Sequence, residues 1–308
     1  MKEHSSATIE AAPALSRTPA GLWWGLLGVL AFSFTMPFTR VAVEGMSPLF
    51  IGAGRAVIAA ALAAAALLLT GQRRPTRTQW LRLGVVAAGV VAGFPLLTSY
   101  ALTATHASHG AVVIAILPAA TAVASVLRTG ERPPRAFWTA ATLGAVAAIV
   151  FAALHNDEFG GLGWPDLLLF GAVVAAAIGY AEGGLLSREL GPWQTISWAL
   201  VLAAPFMGAL TAYSLATEPM QATFAHWSAF AYLAAVSMFL GFFAWYRGLA
   251  LGPMAQVSQT QLVQPVLTLA WAAMLLREPL NAVTFAGALA VIACAALAVR
   301  TRLRPGSR

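Results

Sequence analysis

Ten apolar runs, parted by short breaks that hold almost all the charge, divide this chain from end to end. A helix needs about 20 mostly apolar residues to cross a bilayer. Cutting at the charged and Pro/Gly-rich breaks places the runs at roughly Gly21–Val43, Pro48–Thr70, Trp80–Thr103, His109–Leu127, Phe137–Leu154, Trp164–Leu186, Trp193–Thr217, Trp227–Leu249, Ala255–Leu276 and Ala282–Val299. Alanine-rich runs with little period-2 alternation do not suit a barrel. The expected fold is therefore an all-α membrane protein of ten transmembrane helices. Only 9% of the 308 residues are charged, against about 25% in a soluble domain, so the surface must be solvated by a lipid bilayer. Residues 1–19 read as a disordered cytoplasmic tail, and the run that follows is too long for a cleavable signal peptide.

The net charge is +7, but no basic stripe with interleaved aromatics accompanies it, so nucleic acid is not an expected partner. With the N-terminus inside, fifteen basic residues gather on the inner face. They run from Lys2 and Arg17 through Arg73, Arg74, Arg77, Arg82, Arg128, Arg132, Arg135, Arg188 and Arg247 to Arg300, Arg302, Arg304 and Arg308. Arg40 and Arg277 fall outside, Arg55 lies within a run, and the outer loop 156–161 (NDEFGG) is acidic. That split follows the positive-inside rule and puts both termini in the cytoplasm. The lone Cys294 allows no intramolecular disulfide and offers no redox or metal motif.

The chain also repeats itself. Residues 116–131 read ILPAATAVASVLRTGE and residues 263–278 read VQPVLTLAWAAMLLRE. Laying Pro118 on Pro265 brings Thr121 onto Thr268 and Glu131 onto Glu278. GMSPLF (45–50) lies over ELGPWQ (189–194) in the same way, with Pro48 on Pro192. Two copies of five runs, 20–155 and 162–300, followed by a basic tail at 301–308, must insert in opposite senses because five is odd. Inverted repeats of this kind suit transporters, which open a central site to each side in turn.

These features resemble the EamA-type drug/metabolite transporter superfamily. Arg55 in GAGRAV, Tyr100–Leu102 (YAL), Pro118 and Glu131 carry the likeness in the first copy; Gly248–Leu251 (GLAL), Pro265 and Glu278 carry it in the second. GYAEGGLLSREL (179–190) and SQTQLVQP (258–265) look most like its YddG-type aromatic amino-acid exporters. The resemblance implies a midplane cavity lined by runs one, three, four, six, eight and nine, with runs five and ten as scaffold. The second copy has Ala199 where the first has Arg55, so any role of that arginine is asymmetric.

Ionisable groups inside runs are costly and few. Arg55 is either a counter-ion for a substrate carboxylate or a structural arginine held by carbonyls or by Glu44. Glu182, near the inner end of run six, binds a substrate ammonium or a proton, or is a plain helix-end carboxylate. Gln256, Gln259 or Thr260, and Gln264 form one stripe of run nine at helical spacing. Amides cannot face lipid unmet, so the stripe is interhelical glue or a polar cavity wall. His109 sits where run four aligns with Gln256, as a titrating group or a simple hydrogen-bond partner. Phe239, Phe243 and Tyr246 share a face of run eight and are expected opposite Phe94, Thr98 and Tyr100 of run three, with Phe32 and Thr35 of run one.

No HExxH, Walker A loop, nucleophile elbow or acidic metal cluster appears, so neither an enzyme nor a cofactor or metal is expected. The expected function is export of small amphiphilic metabolites, aromatic and other neutral amino acids foremost, by a monomer in a bacterial inner (plasma) membrane. Cationic drugs are the alternative cargo, and a membrane-embedded enzyme the competing class.

Overall fold

The computed structural model describes residues 19–129, 134–155, 162–251, 257 and 259–302. Among them every regular element is helical. Seven helices are long and apolar enough to cross a membrane: Ala20–Ala42, Pro48–Leu69, Arg77–Ala101, Ala107–Arg128, Trp164–Leu190, Pro192–Thr217 and Phe224–Leu251. Shorter apolar helices cover Arg135–Phe151, Thr260–Leu275 and Ala282–Leu297.

Several of these are broken inside. The first consists of α1 (Pro19–Ser33) and α2 (Thr35–Ala42), interrupted at Phe34. Helix α3 (Pro48–Leu69) starts on Ser47, whose hydroxyl accepts from Phe50 N. The next combines α4 (Arg77–Val86), a π turn (Ala87–Gly93) and α5 (Phe94–Ala101). Pro95, which lacks an N–H, sits at the start of α5 and contributes to the widened turn before it. Then come α6 (Ala107–Ile114), α7 (Leu117–Thr129) and α8 (Arg135–His155), followed by α9 (Trp164–Leu190) and α10 (Pro192–Thr217). After α11 (Phe224–Tyr232) a second π turn (Leu233–Leu240) leads to α12 (Gly241–Leu251). A 3₁₀ turn (Gln259–Val263) precedes α13 (Gln264–Leu275), and α14 (Ala282–Arg302) follows.

The breaks repeat. Adding the offset of 147 that joins Pro118 to Pro265 carries Leu117, the start of α7, onto Gln264, the start of α13. Each proline is therefore the second residue of a restarted half-helix, where a missing N–H costs nothing. The same offset carries the first π turn onto the second to within one residue. Runs four and nine lie in opposite directions where they meet. Glu278, just beyond α13, accepts hydrogen bonds from the N–H groups of Ala107 and Ser108, both at 2.8 Å. The end of α13 thus meets the start of α6.

Small residues let the helices close on one another. A Cβ on Gly89 would lie 2.4 Å from Ala175 O, and one on Gly28 would lie 2.9 Å from Trp245 N. Gly84, five residues before Gly89, has open space beside it. Helices α8 and α14 pack on each other and line neither of the two small polar cavities described next.

Candidate functional site

A narrow cavity of about 30 Å³ lies among the broken helices. Its polar wall is Arg55 from α3, Thr35 from α2, Ser237 from the second π turn, Tyr180 from α9 and Gln264 from α13. Its apolar wall includes Phe32, Phe94, Phe242, Met36, Met238 and Val90. Thr35 and Ser237 hydroxyls bond each other at 2.8 Å, and Phe32 meets Phe242 edge to face at 4.9 Å. Arg55 is 1% exposed, yet its Nε and Nη2 have no hydrogen-bond partner among the described residues.

A second cavity of about 20 Å³ adjoins the first through Met36, Leu117 and Gln264. Here the two breaks face each other: Pro118 and Pro265 both line it, and Ile114 and Leu117 stand with their repeat counterparts Gln261 and Gln264. Gln261 is 2% exposed, and neither amide atom has a partner among the described residues. Thr268 also lines it, but its hydroxyl donates to Ser33 O at 2.9 Å. With Trp271 Nε1 bonding Ser33 Oγ at 2.9 Å, Thr268 secures the interruption between α1 and α2. Volumes of this size admit about two waters at most, so the site stands contracted.

A far larger cleft of about 660 Å³ lies between α7, α8 and α9. Apart from Arg128 and Glu182 its walls are Ala, Val, Ile and Leu, which give a solute little to orient against. The polar groups that converge are those of the two small cavities.

Charged contacts stand at both ends of the bundle. At one end Glu278 holds the start of α6, and beside it His109 Nε2 lies 2.6 Å from Asp166 Oδ1, the pair 3% and 1% exposed. Asp166 Oδ2 also accepts from Gly163 N at 2.9 Å. At the other end Glu182, 5% exposed, receives Arg82 and Arg128, the latter at 2.6 Å. Arg82 also pairs with Glu189. Sixteen residues of α9 separate Asp166 from Glu182, roughly 24 Å at 1.5 Å per residue.

The EamA-like transporter family model matches residues 19–153 and again 163–300. The chain belongs to the EamA-like transporter family. A Bacillus subtilis relative named "Uncharacterized transporter YdeK" is 42% identical over 294 residues, covering 93% of this chain and 99% of that protein. A "Probable terminal-alkyne amino-acid exporter" of Streptantibioticus cattleyicolor is 24% identical over 254 residues, covering 80% of this chain and 82% of its own. A solved crystal structure superposes with TM-score 0.64 at 19% identity, covering 95% of this chain and all of the other, which shows the fold alone. This EamA-like chain is thus a multi-pass membrane transporter.

Of the residues singled out in the sequence, Phe32, Thr35, Phe94, Gln264 and Arg55 meet at the cavities. Others do not. Thr98 is buried, but its hydroxyl turns back to Phe94 O at 2.7 Å. Tyr100, one residue before α5 ends, is 37% exposed. His109 is tied to Asp166 rather than lining either cavity. Tyr246 packs on Gly183, where a Cβ would meet its hydroxyl at 2.1 Å. Phe239 and Phe243 face each other at 4.4 Å, and Phe243 lies 6.0 Å from Trp193. Ser237 and Phe242, five residues apart, take the expected place, because the i→i+5 turn shifts the face away from 3.6-residue spacing. The glutamine stripe changes likewise. Gln256 lies outside the described residues, as does the side chain of Gln259. Thr260 bonds Val257 O at 2.7 Å. Gln261 and Gln264 share a face through the three-residue period of the 3₁₀ turn. Glu182 is held by two arginines rather than free for an ammonium. Sequence reasoning missed Tyr180, Ser237 and Asp166, and left Gln261 off the stripe. An acid within an apolar run was a signal for Asp166.

Proposed function

We propose that this transporter exports small amphiphilic carboxylates, aromatic and other neutral amino acids foremost, from the cytoplasm across a bacterial inner membrane. The observation that carries the proposal is Arg55. A buried guanidinium whose Nε and Nη2 have no partner among the described residues suits an anion, and its planar fork matches a carboxylate. The aromatic edges of Phe32, Phe94 and Phe242 beside it suit an apolar or ring-bearing remainder. The similarity to an amino-acid exporter supports the same class of cargo.

Transport proceeds by alternating access between halves 20–155 and 162–300, inserted in opposite senses, with both termini cytoplasmic. The opposed half-helices that meet at Pro118 and Pro265 support this, since discontinuous helices at a repeat interface are the usual hinge of such carriers. The protein acts as a monomer. Purified full-length chain in liposomes, loaded with unlabelled amino acid, tests the reading by counterflow of labelled phenylalanine and threonine, with tetraphenylphosphonium as the organic cation. Amino-acid exchange that disappears in Arg55→Gln is expected. Exchange of the cation alone overturns the proposal.

A further inference from the structure

We infer that the paired cavities are built for a monoanion bearing an amide, such as an N-acylated amino acid, in preference to a zwitterionic amino acid. This rests on Arg55 as the carboxylate partner and narrows the substrate class of that same site.

Charge is the first argument. The described residues lining the two cavities include one cation, Arg55, and no acid. The buried acids among the described residues are engaged: Glu182 with Arg82 and Arg128, Asp166 with His109, and Glu278 with the backbone of α6. A buried charge is tolerated when paired. A monoanion leaves the occupied site neutral. A zwitterion brings its ammonium into the same space and leaves one positive charge without a counter-ion.

The second argument is Gln261. Natural interiors leave few polar groups unbonded, yet this amide is 2% exposed with both Oε1 and Nε2 unpartnered among the described residues, in a cavity otherwise walled largely by Ile114, Leu117 and two prolines. An amide offers an acceptor and donors side by side. Its complement is a group that returns both, an N–H and a C=O together, which a secondary amide provides. An ammonium can reach Oε1 but leaves Nε2 unmet. Thr268 does not satisfy Gln261, because its hydroxyl is committed to Ser33 O.

Continuity is the third. Gln264, Met36 and Leu117 border both cavities, so one ligand can extend from Arg55 to Gln261 once the site widens. Ile114, the repeat counterpart of Gln261, lines the same cavity, which confines the amide recognition to one side.

The test is counterflow in liposomes with the full chain, comparing N-acetylphenylalanine, phenylalanine and phenylalaninamide, a cation without a carboxylate. N-acetylphenylalanine is expected to half-saturate exchange at roughly tenfold lower concentration than phenylalanine, the effect of about one further hydrogen-bonded group. Phenylalaninamide is expected not to exchange. Gln261→Leu, and Gln261→Met as the closer match in shape, shrink that advantage severalfold and leave the part that the charge of Arg55 gives. Gln261→Glu, which supplies the missing carboxylate, reverses the order, a result that a purely structural glutamine does not give. Equal or better uptake of phenylalanine by the native protein, or an advantage that neither apolar substitution reduces, overturns the inference. Phenylalanine exchange without N-acetylphenylalanine exchange removes this inference and leaves the proposed function standing. No exchange of either acid removes the carboxylate reading beneath it.

Discussion

Replacing Glu278 by glutamine removes one of the two carboxylate contacts that join the end of α13 to the start of α6. Both contacts are 2.8 Å long and the residue is 8% exposed, so neither is diluted by water. A hydrogen bond to a charged group contributes about 1.5–3 kcal/mol. The negative charge at the first turn of a helix adds roughly 0.3–1 kcal/mol. Glutamine keeps one acceptor and loses the rest, a destabilisation of about 2–4 kcal/mol. With an unfolding entropy near 2.1 cal/mol/K per residue, a chain of 308 residues should melt roughly 3–6 °C lower. The assay is thermal unfolding of the purified protein followed by tryptophan fluorescence, with ten tryptophans as reporters. Glu44→Gln, at an exposed carboxylate beyond α2, is the control and should not shift the curve. A Glu278→Gln midpoint within about 1 °C of the native protein, on that same entropy scale, refutes the clasp as a stabilising device.

Arg55→Gln should lower carboxylate exchange by roughly 100-fold, as loss of a buried charge partner does, while the melting temperature holds or rises because an unpaired buried charge is gone. A matching loss of stability would return Arg55 to a structural role. Gly89→Val should cost about 1–3 kcal/mol or more through overpacking, since its Cβ meets Ala175 O at 2.4 Å. Gly84→Val, with open space beside it, should be near neutral, and equal melting curves for the two would disprove the close approach. Glu182→Gln strands Arg82 and Arg128 at the far end. Because Arg128 is 51% exposed the loss should be only about 1–2 kcal/mol, and it should shrink in high salt. A salt-independent loss would speak against an ionic link.

How much of this was readable in advance depended on whether a signal was local. Apolar runs of bilayer length mark helices wherever they fall, and Arg55 stood out because a mid-run arginine is expensive. The faces of runs eight and nine were harder, because the assumption of 3.6 residues per turn fails at Leu233–Leu240 and at Gln259–Val263. One widened turn exchanged Phe239 and Phe243 for Ser237 and Phe242, and one tightened turn brought in Gln261. His109 was noticed without its partner, since Asp166 lies 57 residues on and only tertiary packing unites them.

Duplication explains the mechanics of this protein, and departure from duplication explains its chemistry. The π turns, the restarted half-helices and the prolines at Pro118 and Pro265 occur in both copies, so each half bends at equivalent places. A site on the axis relating two identical halves would present the same group twice. Here each pair has diverged: Arg55 against Ala199, Gln261 against Ile114, Gln264 against Leu117. Every polar choice at these three pairs has an apolar counterpart, so the polar groups of the cavities do not repeat between the copies. A symmetric pair of arginines would double the buried charge and demand a dianion. One arginine opposite an alanine asks for a single carboxylate. Under the proposed function, the asymmetry of these three pairs sets both the charge and the amphiphilic character of the cargo.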